Sequence, residues 1–212
     1  MKKTLSTLAL ALVFAPAVSF AQFPSIPGFG KSASAAPAAD LGGQQTQLVR
    51  AYVAANKDVL TANSKMAEAL GLKDAAVASK ATADSLTEGA TKDNLDAANK
   101  EVSTSTDAVA AELKKGPQLD AASKATFGVG MLSLASGVNK FVGVGKNVSE
   151  MATGLKSASM MQLPSLQSAV SIVSKFPDSM ATVSSALKNA VAFAKSNDIP
   201  VPADATKALA AL

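Results

Sequence analysis

The residues that most often carry catalysis are missing from this chain of 212 residues, which contains neither cysteine nor histidine. This composition excludes thiol nucleophiles, thiolate metal sites and imidazole bases. A serine paired with a lysine remains, since some serine hydrolases use that pair instead of serine and histidine. Several such neighbours occur, without the motifs that accompany a Ser-x-x-Lys site; among them are Ser123 with Lys124, Ser157 with Lys156, and Ser174 with Lys175. A hydrolase is therefore the weakest of three functional hypotheses.

The sequence does not match the spacing of the Walker A phosphate-binding motif or of the calcium-binding loop. Gly145-Lys146 is followed by Asn147, and Lys140 stands where a Walker A loop needs its first glycine. The densest acidic group, Asp93, Asp96 and Glu101, has no calcium-loop pattern and suits a helix start with a solvated face. We expect no cofactor and no metal.

Three methionines offer a second metal hypothesis, because thioethers bind Cu(I). They are Met151, Met160 and Met161. Adjacent residues cannot share one helix face, and no histidine supports them, so the sequence favours core filling by all three.

The N-terminus has the pattern of a secretory signal peptide. Lys2 and Lys3 precede the apolar run Leu8–Ala15, and small residues at Ser19 and Ala21 mark a cleavage site. The run is too short to span a bilayer, so we expect cleavage after Ala21 and a periplasmic or secreted protein without a permanent transmembrane segment.

Composition predicts an all-α protein. Alanine, the best helix former, is abundant, whereas the chain has eight Phe, one Tyr and no Trp. The net charge of +4 falls to +2 once Lys2 and Lys3 are removed, and Arg50 is the only arginine in the chain. Without a clustered basic face, no nucleic-acid partner is expected.

Apolar spacing and breakers divide the chain into elements. We expect a signal peptide over 1–21, a disordered Pro/Gly/Ala/Ser-rich linker over 22–40, a helical bundle over 41–196, and a Pro-containing loop with a short C-terminal helix over 197–212. Short turns favour antiparallel packing of five to six Ala-rich helices. The expected helices run over 43–70, 73–86, 92–115, 118–160, 164–176, 179–196 and 204–212. Pro177 separates two of them, Asp204 caps the last, and Asp96 pairs with Lys100 along the third.

The fourth helix is the candidate contact surface. Its segment 127–145 combines large apolar side chains with five glycines, each of which costs about 1 kcal/mol in a helix interior. Such a helix is either the enclosed centre of the bundle, a surface for a partner or lipid, or a segment that inserts into a bilayer. The candidate contact residues are Phe127, Val129, Met131, Leu132, Leu134, Gly137, Phe141 and Val142.

These patterns predict an exported, non-enzymatic helical protein of the cell envelope that acts as a scaffold, adaptor or binding protein. Its partner would be another envelope protein or a hydrophobic ligand such as a lipid. The first alternative is a lipid-binding or membrane-active protein that uses helix 127–145, and the second is the hydrolase. The patterns do not indicate an oligomeric state.

Overall fold

The computed structural model describes residues 40–212, and within this range all regular structure is helical. The predicted signal peptide and almost all of the predicted linker lie outside the described residues. Six α-helices follow one another, with a 3-10 helix at Leu163–Leu166 before the fifth. They are α1 (Leu41–Ala69), α2 (Lys73–Ser85), α3 (Lys92–Lys114), α4 (Ala121–Ser157), α5 (Gln167–Ser196) and α6 (Ala203–Ala210). The prediction of an all-α chain is confirmed for this range.

Several helix ends are explained by local interactions of residues that the sequence places there. Asp40, Thr91 and Asp120 each accept a hydrogen bond from a backbone N–H in the first turn of α1, α3 and α4. Thr91 and Asn94 form a reciprocal capping box. Gly71 follows α1 with a φ of 77°, a conformation that glycine adopts without strain.

Three sequence predictions about local structure are wrong. Pro177 lies inside one continuous helix, α5, and does not separate two helices. Helix α6 begins at Ala203 with Pro202 as its cap, so Asp204 lies in the first turn instead of capping it. Asp96 pairs with Lys92, one turn before it, and not with Lys100.

Helix α1 is the centre of the structure, because it packs against α2, α3, α4 and α5. Its closest neighbour is α4. The Cα of Gly130 faces Ala62 and Met66, and that of Gly137 faces Ala55 and Val59, one heptad earlier in α1. The two helices therefore run antiparallel.

Helix α5 runs parallel to α1. Gln45 of α1 bonds to Ser165 and Ala169, and Tyr52, seven residues later, bonds to Ser179. Helix α3 packs against both α1 and α5, whereas α6 packs against α4 and α5. Helix α4 packs mainly against α1, α5 and α6, and it is not enclosed on all sides, because Val129, Leu132 and Val142 are exposed.

Candidate ligand groove between helices α3 and α5

The eight candidate contact residues of α4 are divided between the core and the surface. Phe127, Met131, Leu134, Gly137 and Phe141 are buried. Val129, Leu132 and Val142 are exposed by 53, 47 and 40%. The buried members pack inside the protein, as the edge-on contact between Phe141 and Tyr52 shows at 5.4 Å between ring centroids. The eight residues do not form one surface.

Two of the serines in the Ser–Lys neighbours use their hydroxyl groups within their own helices. Ser157 donates to the carbonyl of Gly154, and Ser174 donates to the carbonyl of Ser171. Ser123 lies in the first turn of α4, where its N–H donates to Asp120 at 2.7 Å. Neither hydroxyl bond leads to a lysine.

A serine and a lysine do meet at Asp58, which sequence reasoning missed. The Asp58 carboxylate accepts from the Ser136 hydroxyl at 2.5 Å and from the Lys140 ammonium at 2.7 Å. The spacing of Ser136 and Lys140 by four residues was the available signal, since it places them on one face of α4. This cluster joins α1 to α4.

The methionine prediction holds for only one of the three residues. Met151 is 1% exposed and lies in the core, whereas Met160 and Met161 are 87 and 92% exposed. The latter two occupy the connection between α4 and the 3-10 helix. There the N–H of Ser159 donates to the side-chain carbonyl of Gln162 at 3.0 Å, which orders the turn.

An open groove of about 800 Å³ begins beside Met160. Its apolar wall is made by Met160, Leu163, Pro164 and Val170, and Lys92, Asp96 and Lys175 stand along it. We call this space the methionine groove. It lies between the start of α3 and the first turns of α5.

The apolar wall is fixed to the centre of the bundle. Gln45 donates to the carbonyl of Ser165 at 2.9 Å and accepts from the N–H of Ala169 at 3.2 Å. Leu166, between them, is 2% exposed and anchors the 3-10 helix in the core. The segment that carries Leu163 and Val170 is therefore fixed in position, while both side chains are partly exposed to solvent.

Asp96 organises the charged side of the groove. Its carboxylate accepts from Lys92 at 2.5 Å and from the Ser171 hydroxyl at 2.7 Å, so it joins α3 to α5. These bonds, with the Lys92 bond first, lower the pKa of Asp96 below its ordinary value of 3.8. The same pairing raises the pKa of Lys92.

A smaller polar cavity of about 220 Å³ continues the groove along α3 and α5. Asp96 and Lys175 line both spaces. The polar cavity adds six polar or charged residues: Asn99, Lys100, Ser103, Asp178, Ser179 and Thr182.

Beneath the polar cavity lies Tyr52, which is fully buried. Its hydroxyl donates to the side-chain oxygen of Asn99 at 2.8 Å and bonds to Ser179 at 2.9 Å. Burial raises the pKa of Tyr52, against the smaller lowering effect of these hydrogen bonds. The side-chain nitrogen of Asn99 is buried and has no hydrogen-bond partner among residues 40–212.

Comparisons with protein-family models, with curated proteins and with solved structures each find no match to this chain. Two features of the described residues bear on the sequence hypotheses. No group of three or more acidic side chains that could hold a metal occurs within residues 40–212. Helix α4 is long and apolar enough to cross a membrane, but half of its most apolar window is buried inside the protein. A core helix has the same properties.

Proposed function

We propose that this protein is an exported, non-enzymatic binding protein of the cell envelope that holds a hydrophobic ligand in the methionine groove. One observation carries the proposal: exposed apolar side chains, led by Met160, stand along an open groove on a fixed wall. Leu163 and Val170 are 37 and 43% exposed in the same groove. The proposal moves the contact surface from α4 to the start of α5.

The groove has the properties of a ligand site. A volume of about 800 Å³ lies within the usual range for small-molecule sites, which is about 300 to 1,000 Å³. Clustered exposed apolar residues commonly mark binding surfaces. Methionine suits such a surface, because its unbranched thioether adapts to the shape of what it contacts.

A membrane-active role for α4 remains the second candidate, and Val129, Leu132 and Val142 favour it because they expose apolar surface. Insertion would have to separate α4 from α1, where Gly130 and Gly137 bring the two backbones close. Liposome flotation tests this candidate, and flotation that Leu132→Ser abolishes would support it. The hydrolase alternative gains no support from Ser157 and Ser174, whose hydroxyls donate to helix carbonyls.

The binding proposal is tested with N-phenyl-1-naphthylamine, a hydrophobic probe that fluoresces in apolar surroundings. We expect the protein without its leader to bind the probe. The double variant Met160→Ser/Val170→Ser should bind roughly tenfold more weakly, since it removes two apolar contacts.

The matched control is Val77→Ser, which removes an apolar side chain that is 69% exposed on α2, away from the groove. This variant should bind as the wild type does. Equal affinities of all three proteins would place the probe elsewhere and contradict the proposal.

A further inference from the structure

We infer that the ligand of the methionine groove is a long-chain carboxylate, with its tail along Met160, Leu163 and Val170 and its head beside Lys175. The inference rests on the proposed function and adds the chemical class and orientation of the ligand. It follows from the juxtaposition of an apolar groove and a polar cavity that share Lys175.

Lys175 stands at the junction of the two spaces. The apolar wall extends from Leu163 to Val170, and Lys175 follows five residues later on α5. With a helical rise of 1.5 Å per residue, the part of α5 from Gln167 to Lys175 spans roughly 12 Å, and the 3-10 helix that carries Leu163 lies before it. This geometry suits an extended chain with one polar end better than a compact apolar molecule.

The charges at the junction favour an anionic head. Lys92 is neutralised by Asp96, whereas Lys175 has no carboxylate oxygen within 4.0 Å among residues 40–212. Lys100 adds a second positive charge to the polar cavity, and Asp178 adds one negative charge. Across the two spaces together, the three lysines Lys92, Lys100 and Lys175 outnumber the two aspartates Asp96 and Asp178 by one.

The Thr182 hydroxyl lines the polar cavity and is able to donate a hydrogen bond. The Ser179 hydroxyl donates to Tyr52, since the single hydroxyl proton of Tyr52 goes to Asn99, and the unpartnered side-chain nitrogen of Asn99 is buried. An ionised carboxylate only accepts hydrogen bonds, so it complements Thr182 and the lysine together. A primary alcohol would lack the charge, and an ammonium head would be repelled by Lys175.

The experiment compares three amphiphiles with the same sixteen-carbon tail: palmitate, hexadecanol and hexadecyltrimethylammonium. Each displaces N-phenyl-1-naphthylamine from the protein without its leader, and palmitate binding is also measured directly by isothermal titration calorimetry. We expect palmitate to bind roughly tenfold more tightly than hexadecanol, as for a charge-assisted hydrogen bond, and the cationic amphiphile to bind most weakly.

Two lysine variants localise the head. Lys175→Gln should abolish the preference for palmitate over hexadecanol while leaving hexadecanol affinity unchanged. The matched control, Lys188→Gln, removes an exposed lysine of the same helix outside the groove, and it should keep the preference.

The outcomes separate this inference from the proposed function. If Met160→Ser/Val170→Ser weakens the probe but palmitate and hexadecanol compete equally, the methionine groove stands and the carboxylate inference is wrong. A preference that survives Lys175→Gln also overturns it. If neither the probe nor palmitate binds, both proposals fail.

Discussion

The glycines of α4 have different roles, which only their surroundings distinguish. A Cβ added at Gly137 would lie 2.7 Å from a methyl of Val59 and 3.3 Å from the carbonyl oxygen of Ala55. A Cβ added at Gly143 would meet nothing within 4 Å. The sequence predicts that close packing must offset several helical glycines, but it does not show which of them face a neighbour.

Alanine substitutions at these two glycines should change stability in opposite directions. Gly137→Ala forces α4 away from the α1 backbone and should lower the free energy of unfolding by about 2 kcal/mol. In Gly143→Ala the added methyl meets no neighbouring atom, and alanine restricts the backbone of the unfolded chain. This variant should therefore raise the free energy of unfolding by about 0.5–1 kcal/mol. Urea unfolding followed by circular dichroism measures both. A loss at Gly143, or no loss at Gly137, would contradict this account of α4.

The methionines show a limit of the same kind. The sequence alone does not show whether an apolar residue near a helical stripe faces the core or the solvent. Met151 and Met160 differ because Met151 falls within α4 against its neighbours, while α4 ends at Ser157, before Met160. The candidate groove could not be predicted from the sequence, since it depends on where that helix stops.

Among the elements, α5 departs most from its sequence prediction. An interior proline removes one helical hydrogen bond and costs about 3 kcal/mol, which is why Pro177 predicts a break. The helix continues because residues on both sides of Pro177 are held in the core. Ile172 and Val183 are fully buried, and Phe176 lies 6.1 Å from Phe141 between ring centroids. Tertiary packing therefore outweighs the local tendency of Pro177 to break the helix.

The junction of α3 and α5 should weaken in acid, because Asp96 joins the two helices. Its pKa is lowered in the folded protein, first by Lys92 and then by Ser171. The stabilisation is therefore present above the ordinary value of 3.8 and is lost as the pH falls through the folded pKa. Asp96→Asn should lower the free energy of unfolding by about 1 kcal/mol at pH 7 and have little effect below that pKa.

Urea unfolding of both proteins across this pH range, without ligand, measures the difference. Asp93→Asn is the matched control, since Asp93 is an exposed first-turn residue of the same helix that accepts no side-chain hydrogen bond within residues 40–212. If Asp96→Asn still lowers the free energy of unfolding by the same amount below the folded pKa of Asp96, the ionisation of Asp96 does not stabilise the junction.

At the scale of the whole molecule, the sequence predicts the helical class and most helix ends but leaves open which helix is the centre. Glycine-rich α4 was one candidate for the enclosed helix, yet α1 has neighbours on more sides. Helix α1 buries Asn56 and Asn63, residue types that usually mark a solvated face. Asn63 donates to Ser105 and Thr106 of α3, so its burial depends on partners far away in the sequence.

Tyr52 joins three helices, and it is the only tyrosine in a chain without tryptophan, so its ionisation can be followed alone. Burial raises its pKa in the folded state, so its stabilisation is complete below the ordinary value of 10.0 and is lost as the pH rises through the folded pKa. We expect the ultraviolet absorbance of the phenolate to appear above pH 10, together with loss of helical circular dichroism.

Tyr52→Phe should lower the free energy of unfolding by about 1–2 kcal/mol at pH 7. It should also lose less helicity in alkali than the wild type, which assigns that loss to the Tyr52 hydroxyl. Ionisation at pH 10 with helicity intact would mean that the hydroxyl reaches solvent and does not hold α1, α3 and α5 together.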